Sequence, residues 1–159
     1  MARKGQGRPW QCTGKRHDKF VQVYLSRLLS PACMALTDKQ FRLLVCCEME
    51  AFGAASKAND PGGGSEQYDG ALFYMNRKLY VERYSLYGKN DRRGFQRDMA
   101  ALIEHGFVDC VKSGYAAKVK NLYRLSQRWR QWETESFKIP ESAKTTHMLW
   151  KAANGAKGL

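Results

Sequence analysis

The stretch that decides the fold is Asn90-Asp91-Arg92-Arg93-Gly94-Phe95-Gln96-Arg97-Asp98-Met99-Ala100-Ala101-Leu102-Ile103-Glu104-His105-Gly106-Phe107. Gly88-Lys89-Asn90 is a turn signal, and Asn90 or Asp91 can cap a helix by accepting from its first unpaired N–H groups. Gly106 supplies a natural stop, so the reading is one helix over Asp91–His105. At about 100° per residue, Phe95, Met99, Leu102 and Ile103 fall on one side and anchor it to a core. Arg93, Arg97, Ala100 and Glu104 fall on the other, with Arg92 and Gln96 at its flank.

The neighbouring elements on either side give this helix its meaning. Downstream, Phe107–Lys112 (FVDCVK) and Asn121–Ser126 (NLYRLS) alternate as strands do, and Ser113-Gly114 opens a turn between them. That predicts a hairpin whose tip carries Lys112, Lys118 and Lys120 with Tyr115 between them. Upstream, Ala71–Met75 (ALFYM) reads as a short strand. Asn76 then caps a short helix bearing Leu79, Tyr80, Tyr84 and Leu86. Strand, short helix, tight turn, second helix and hairpin make a winged helix-turn-helix, a mainly α protein with a small β-hairpin (α+β).

Two helices precede this unit. Val23, Tyr24 and Leu28 recur at helical spacing within Phe20–Leu29, and Ser30-Pro31 ends that run because the residue before proline avoids helical geometry. Thr37 and Gln40 form a capping box for the next helix. Its core face is Phe41, Leu44, Val45, Glu48, Met49 and Phe52, and Gly53 is its stop. Gly53–Gly70 is rich in glycine and small polar residues and reads as a mobile loop. Residues 1–19 form a flexible basic arm with Arg3, Lys4, Arg8, Lys15 and Arg16. The domain proper spans 20–132, with Gln127–Trp132 packing back on the core through Trp129 and Trp132. A C-terminal extension, 133–159, holds one short helix near Thr146–Ala152.

Twenty-seven Lys and Arg against fifteen Asp and Glu give a net charge of +12 over 159 residues. Such a surplus repels itself and points to a polyanion or an anionic surface. No apolar run is long enough to span a membrane, and the polar first nineteen residues are unlike a secretory signal, which leaves a cytoplasmic protein with nucleic acid as its partner. Cys12, Cys33, Cys46, Cys47 and Cys110 show no CxxC spacing and read as reduced thiols used as small apolar residues. Catalysis finds no support: His17, His105 and His147 are scattered, Gly62-Gly63-Gly64 lacks the Lys-Ser/Thr of a phosphate-binding loop, and no nucleophile–base pair stands out. No cofactor, metal or small-molecule substrate is expected.

DNA chemistry suits the central helix. Arginine can form two bonds to guanine O6 and N7, and glutamine can do the same to adenine N6 and N7. Arg93, Gln96 and Arg97 are therefore the base-reading candidates, and Arg92 is a further DNA-binding residue of the same helix. Lys89, Asn90, Lys112, Tyr115, Lys118 and Lys120 extend the contact through turn and wing, and the arm adds weaker contacts. An arginine-rich helix by itself is equally an ordinary solvated face. Its place between a short helix and a hairpin is what favours DNA.

Three stretches, Phe20–Glu50, Leu86–Val111 and Asn121–Trp129, carry Leu-Ile-x-x-Gly-Phe at Leu102–Phe107, Asn-Leu-Tyr-x-Leu at Asn121–Leu125, and a Ser-Pro-Ala start at Ser30 leading to Leu36-Thr37. Over Phe20–Trp132 the chain resembles the winged-helix domain of plasmid and mobile-element replication initiators, with relatives in phage and conjugative elements. The resemblance implies double-stranded DNA binding, at repeated sites and as a homodimer, in replication initiation or transcriptional control. Such initiators carry a further domain that recruits the replication machinery, and little sequence lies beyond Trp132 here. The Ser or Thr usual at the start of the recognition helix is replaced by Asn90-Asp91-Arg92, so site preference does not carry over. The alternative is a winged-helix protein-interaction module with only non-specific nucleic-acid affinity. A third reading, RNA binding, would need Tyr74, Tyr80, Tyr84 or Tyr115 exposed for base stacking.

Overall fold

A computed structural model describes residues 21–57, 72–114 and 120–155. The arm, residues 58–71 and residues 115–119 lie outside them, and with them Tyr115 and Lys118. The chain forms α1 (Leu25–Leu28), α2 (Pro31–Met34), α3 (Asp38–Lys57), β1 (Leu72–Tyr74), a π-helical segment (Lys78–Arg83), α4 (Arg92–Glu104), β2 (Val108–Lys112) and β3 (Leu122–Leu125). Two 3-10 segments, Arg128–Gln131 and Glu141–Ala143, and then α5 (Thr146–Gly155) complete the order. The architecture is α+β.

The expected first helix is mostly absent from its described part. Residues 21–24 are not helical, and Pro31 starts α2 instead of only ending α1. Proline suits a first helical position because its missing N–H would be unpaired there anyway. Ser30 caps α2 by accepting from Cys33 N at 3.2 Å. The apolar stripe expected to enter the core is exposed: Val23 is 36%, Tyr24 44% and Leu28 41% exposed, and Leu25, Leu29 and, on α2, Met34 are more so. What holds α1 down is a half-buried ion pair, the Arg27 guanidinium spanning both oxygens of Glu48.

In α3 the capping box forms. Thr37 N donates to Gln40 Oε1 at 3.0 Å, and Gln40 N to Thr37 Oγ1 at 3.3 Å. Gly53 does not end the helix, which runs on to Lys57 and takes in the first residues of the expected loop. One internal glycine costs only about 1 kcal/mol, and the alanines after it favour helix. The buried stripe is Leu43, Leu44, Cys47, Glu48 and Ala51, rotated from the expected one, so Phe41 and Val45 are only half-buried.

The sheet is larger than the expected hairpin. Its order is β1-β3-β2, antiparallel throughout, so β1 pairs with the last strand. Phe73 sits opposite Tyr123, their ring centroids 5.9 Å apart, and Cys110 lies opposite Tyr123 on the other side. A bulge between Cys110 and Lys112 marks where the hairpin leaves the sheet. The core lies between this sheet, α3 and α4, with Leu43, Leu44, Met99, Leu102, Ile103 and Val108 fully enclosed. Of the described cysteines, Cys33, Cys47 and Cys110 are buried and all four are free thiols.

Two features join α4 to the C-terminal part of the chain. Gly106 takes φ +80°, and a Cβ there would lie 2.6 Å from Trp129 N. That close approach lets Trp129 stack on Phe107 at 6.0 Å, while Trp132 stacks on His105 at 4.8 Å. The C-terminal segment then runs back along β2. Ala143 and Thr145 are buried, Ile139 and Met148 pack on the core, and Thr146 N and Oγ1 both reach Ser113 Oγ at 3.1 and 2.6 Å.

Candidate nucleic-acid interface

Asp91, not Asn90, caps α4: its carboxylate accepts from Gly94 N at 3.0 Å. The same carboxylate lies 3.6 Å from Lys39 Nζ, which sits over the Tyr87 ring at 4.1 Å. Phe95, Met99, Leu102 and Ile103 are buried as the helical period predicts. Tyr80 stacks on Phe95 at 4.0 Å, and Tyr87 meets both rings edge-on. The π-helical segment is thereby locked against α4. Asn76 starts that segment, its Oδ1 accepting from Leu79 N at 3.3 Å.

A carboxylate that periodicity alone does not explain sits on the buried side. Asp98 is 2% exposed and accepts from Tyr87 OH at 2.9 Å, from Gln40 Nε2 at 3.3 Å and from Arg97 Nε at 3.1 Å. Burial, reinforced by the bond to Asp98, raises the Tyr87 phenol far above its ordinary range, so it remains a donor. Asp98 thus orients three elements and ties the inner edge of the Arg97 guanidinium. The outer part of that side chain stays in solvent.

Arg92 and Arg93 are exposed on the first turn, and Gln96 is half-buried one turn on. Arg92 and Gln96 face a groove of about 500 Å³ between α4 and the base of the β2–β3 hairpin. Lys120 joins them there from the hairpin and Arg77 from the start of the π-helical segment. Lys89 and Asn90 are exposed at the turn, where the Lys89 carbonyl accepts from Arg77 Nε at 3.4 Å. Lys112 is exposed at the end of β2. The hairpin base is pinned by Asn121, whose Oδ1 accepts from Gly114 N at 2.8 Å and whose Nδ2 donates to Tyr123 OH at 3.0 Å.

Several cations away from this groove are already used. Arg124 and Arg128 both pair with Asp109, and Arg83 with Glu50 at 3.2 Å. Among the described residues Arg77, Arg92, Arg93 and Lys120 form no ion pair. The tyrosines expected to stack RNA bases are largely committed elsewhere: Tyr80 is buried, and Tyr84 OH donates to Glu50 at 2.6 Å, leaving Tyr74 exposed.

Sequence reasoning missed Arg77, Thr145 and His147, which line the same groove. Arg77 was legible only as part of a short helix, and Thr145 and His147 lie just before and at the start of the short helix expected near Thr146–Ala152, whose packing against the groove the sequence does not show. Among the described residues no group of three or more His, Cys, Asp or Glu side chains could hold a metal, and no helix is long and apolar enough to cross a membrane. Comparison with models of protein families, with curated proteins and with solved structures found no match.

Proposed function

We propose that this protein binds double-stranded DNA through a winged helix, with α4 as the recognition helix and the β2–β3 hairpin as the wing. The observation that carries this reading is the company Arg92, Arg93 and Lys120 keep. Among the described residues they form no ion pair, and they sit on the N-terminal half of α4 and on the adjoining hairpin, whereas Arg27, Arg83, Arg124 and Arg128 are neutralised internally. The order helix, strand, short helix, helix, strand, strand, with β1 beside β3, supports the architecture. Arg93 and Arg97 read bases, while Arg92, Lys112 and Lys120 hold phosphates. The resemblance to replication initiators supports a role in replication or transcriptional control of a mobile element, with the protein acting as a homodimer.

The test is a salt-titrated affinity for duplex DNA. Affinity falls steeply as salt rises, with log K declining by about 0.9 per phosphate contact for each unit of log salt. Arg93→Ala combined with Arg97→Ala weakens binding and flattens sequence preference more than Arg3→Ala combined with Lys4→Ala. Duplex affinity untouched by the α4 pair would sink the recognition-helix assignment. That second outcome favours a protein-interaction module, for which the exposed Leu25, Leu29 and Met34 offer an apolar surface.

A further inference from the structure

We propose that the groove between α4 and the hairpin base is a binding site for a nucleoside phosphate. Among the described residues its charged lining is cationic, Arg77, Arg92 and Lys120, with no Asp or Glu. None of the three is ion-paired among the described residues, so their charge is available to an incoming anion. Inorganic phosphate alone would leave most of the space unfilled, because a cavity of about 500 Å³ is of the size that holds drug-sized ligands. Tyr80, Phe95, Met99 and Tyr123 give it carbon-rich walls suited to a sugar or a base.

Some polar groups of the lining are already used, and others, Gln96 among them, are open among the described residues. Asn76 and Asn121 are spent on Leu79 N, Gly114 N and Tyr123 OH. Gln96 makes no side-chain hydrogen bond among the described residues, and its carboxamide offers a donor and an acceptor side by side, the pattern a base edge requires. Arg77, Arg92 and Tyr80 line the same groove, and the two guanidinium charges partly offset the rise that burial causes in the Tyr80 phenol. The C-terminal segment completes the site. Thr145 and His147 reach the groove because Thr146 is fastened to Ser113 by two hydrogen bonds. The ligand is a free nucleotide or one nucleotide of a bound strand, and both present the same phosphate and heterocycle.

The site goes beyond the duplex reading and is tested apart from it, since Arg77 and His147 belong to the groove and not to the α4 face assigned to DNA bases. The full chain is titrated with dAMP, deoxyadenosine, inorganic phosphate and a short single-stranded oligonucleotide, following binding by calorimetry. The proposal expects dAMP or the oligonucleotide to bind, and both deoxyadenosine and phosphate to bind about tenfold more weakly than the better of the two. Arg77→Ala weakens that binding by about tenfold, and Arg77→Lys restores much of it, because the contact is a charge-assisted bond. His147→Ala lowers it as well. Binding of dAMP identifies a free nucleotide, and binding of the oligonucleotide alone identifies a strand-borne one. Binding of neither, equal affinity for inorganic phosphate, or indifference to Arg77→Ala would overturn the proposal. Duplex affinity and its loss in the Arg93→Ala, Arg97→Ala protein report separately on the recognition helix.

Discussion

At the residue scale, Asp98 governs more than any arginine on the surface. It is enclosed and accepts from Tyr87, Gln40 and Arg97, so removing it strands the buried Tyr87 hydroxyl and the half-buried Gln40 amide. Asp98→Ala should lower unfolding free energy by about 2–4 kcal/mol, measured as a reduced urea midpoint at unchanged m-value. Asp98→Asn, which can still accept from Tyr87, should cost less. A carboxylate one turn from Phe95 and Leu102 falls on the core side by periodicity, but only its partners across space explain why it is there. Gln40 is 58 residues away. The two structured glycines of this region make opposite predictions. Gly106→Ala places a Cβ in the left-handed region against Trp129 and Arg128 backbone and should cost about 2–4 kcal/mol. At Gly94 the obstacle is only the Asp91 carboxylate, 2.4 Å from the added Cβ. Loss of that cap, about 1 kcal/mol, offsets the helix gain of about 1 kcal/mol, so Gly94→Ala should change thermal stability little.

Burial also sets an alkaline limit through single groups. Desolvation pushes the Cys110 thiol up from its ordinary value near 9.0 to about 11 and the Cys46 thiol likewise to about 11. The unfolded chain therefore loses these protons before the folded one does. The stability they contribute is fully present below pH 9 and disappears as pH rises toward 11. Urea midpoints measured from pH 8 to pH 10.5 should fall over the upper part of that range, about where the thiols ionise. Cys110→Ala should reduce the slope.

At the element scale, α4 and the hairpin were legible because apolar side chains at helical and alternating spacing, closed by Gly106, leave one solution. The capping box of α3 was legible for the same local reason. The N-terminal helices were not. Their apolar residues have helical spacing yet face solvent, and the contact that seats α1 is a charge pair with a residue twenty-one positions on. Arg27→Ala would leave Glu48 buried without its guanidinium, at a cost of about 3–5 kcal/mol. Replacing both, Arg27→Met with Glu48→Leu, should recover most of that loss in the same denaturation assay. Gly53 misleads as the end of α3 because glycine is a weak stop when alanines come after it. The groove could be half read: Arg92, Gln96 and Lys120 come from recognisable elements, whereas Arg77, Thr145 and His147 are delivered by tertiary packing.

At the scale of the whole molecule, the C-terminal segment is part of the folded body. Ile139, Ala143, Thr145 and Met148 lie on or in the core, and the Thr146–Ser113 bonds tie the segment to the hairpin base. Removing residues 133–159 should lower stability by about 2–4 kcal/mol from lost apolar burial, read by thermal unfolding. The same truncation removes Thr145 and His147 from the groove while leaving Arg93 and Arg97 in place, so nucleotide affinity should fall further than duplex affinity. The +12 net charge adds mutual repulsion between copies of the chain. Against that background, the bare hydrocarbon of Leu25, Leu29 and Met34 has a practical consequence. Ammonium sulfate screens the mutual repulsion and at the same time strengthens attraction between apolar surfaces. The protein should therefore cloud at an unusually low sulfate concentration for so basic a chain, and Leu25→Lys with Met34→Lys should move that cloud point upward.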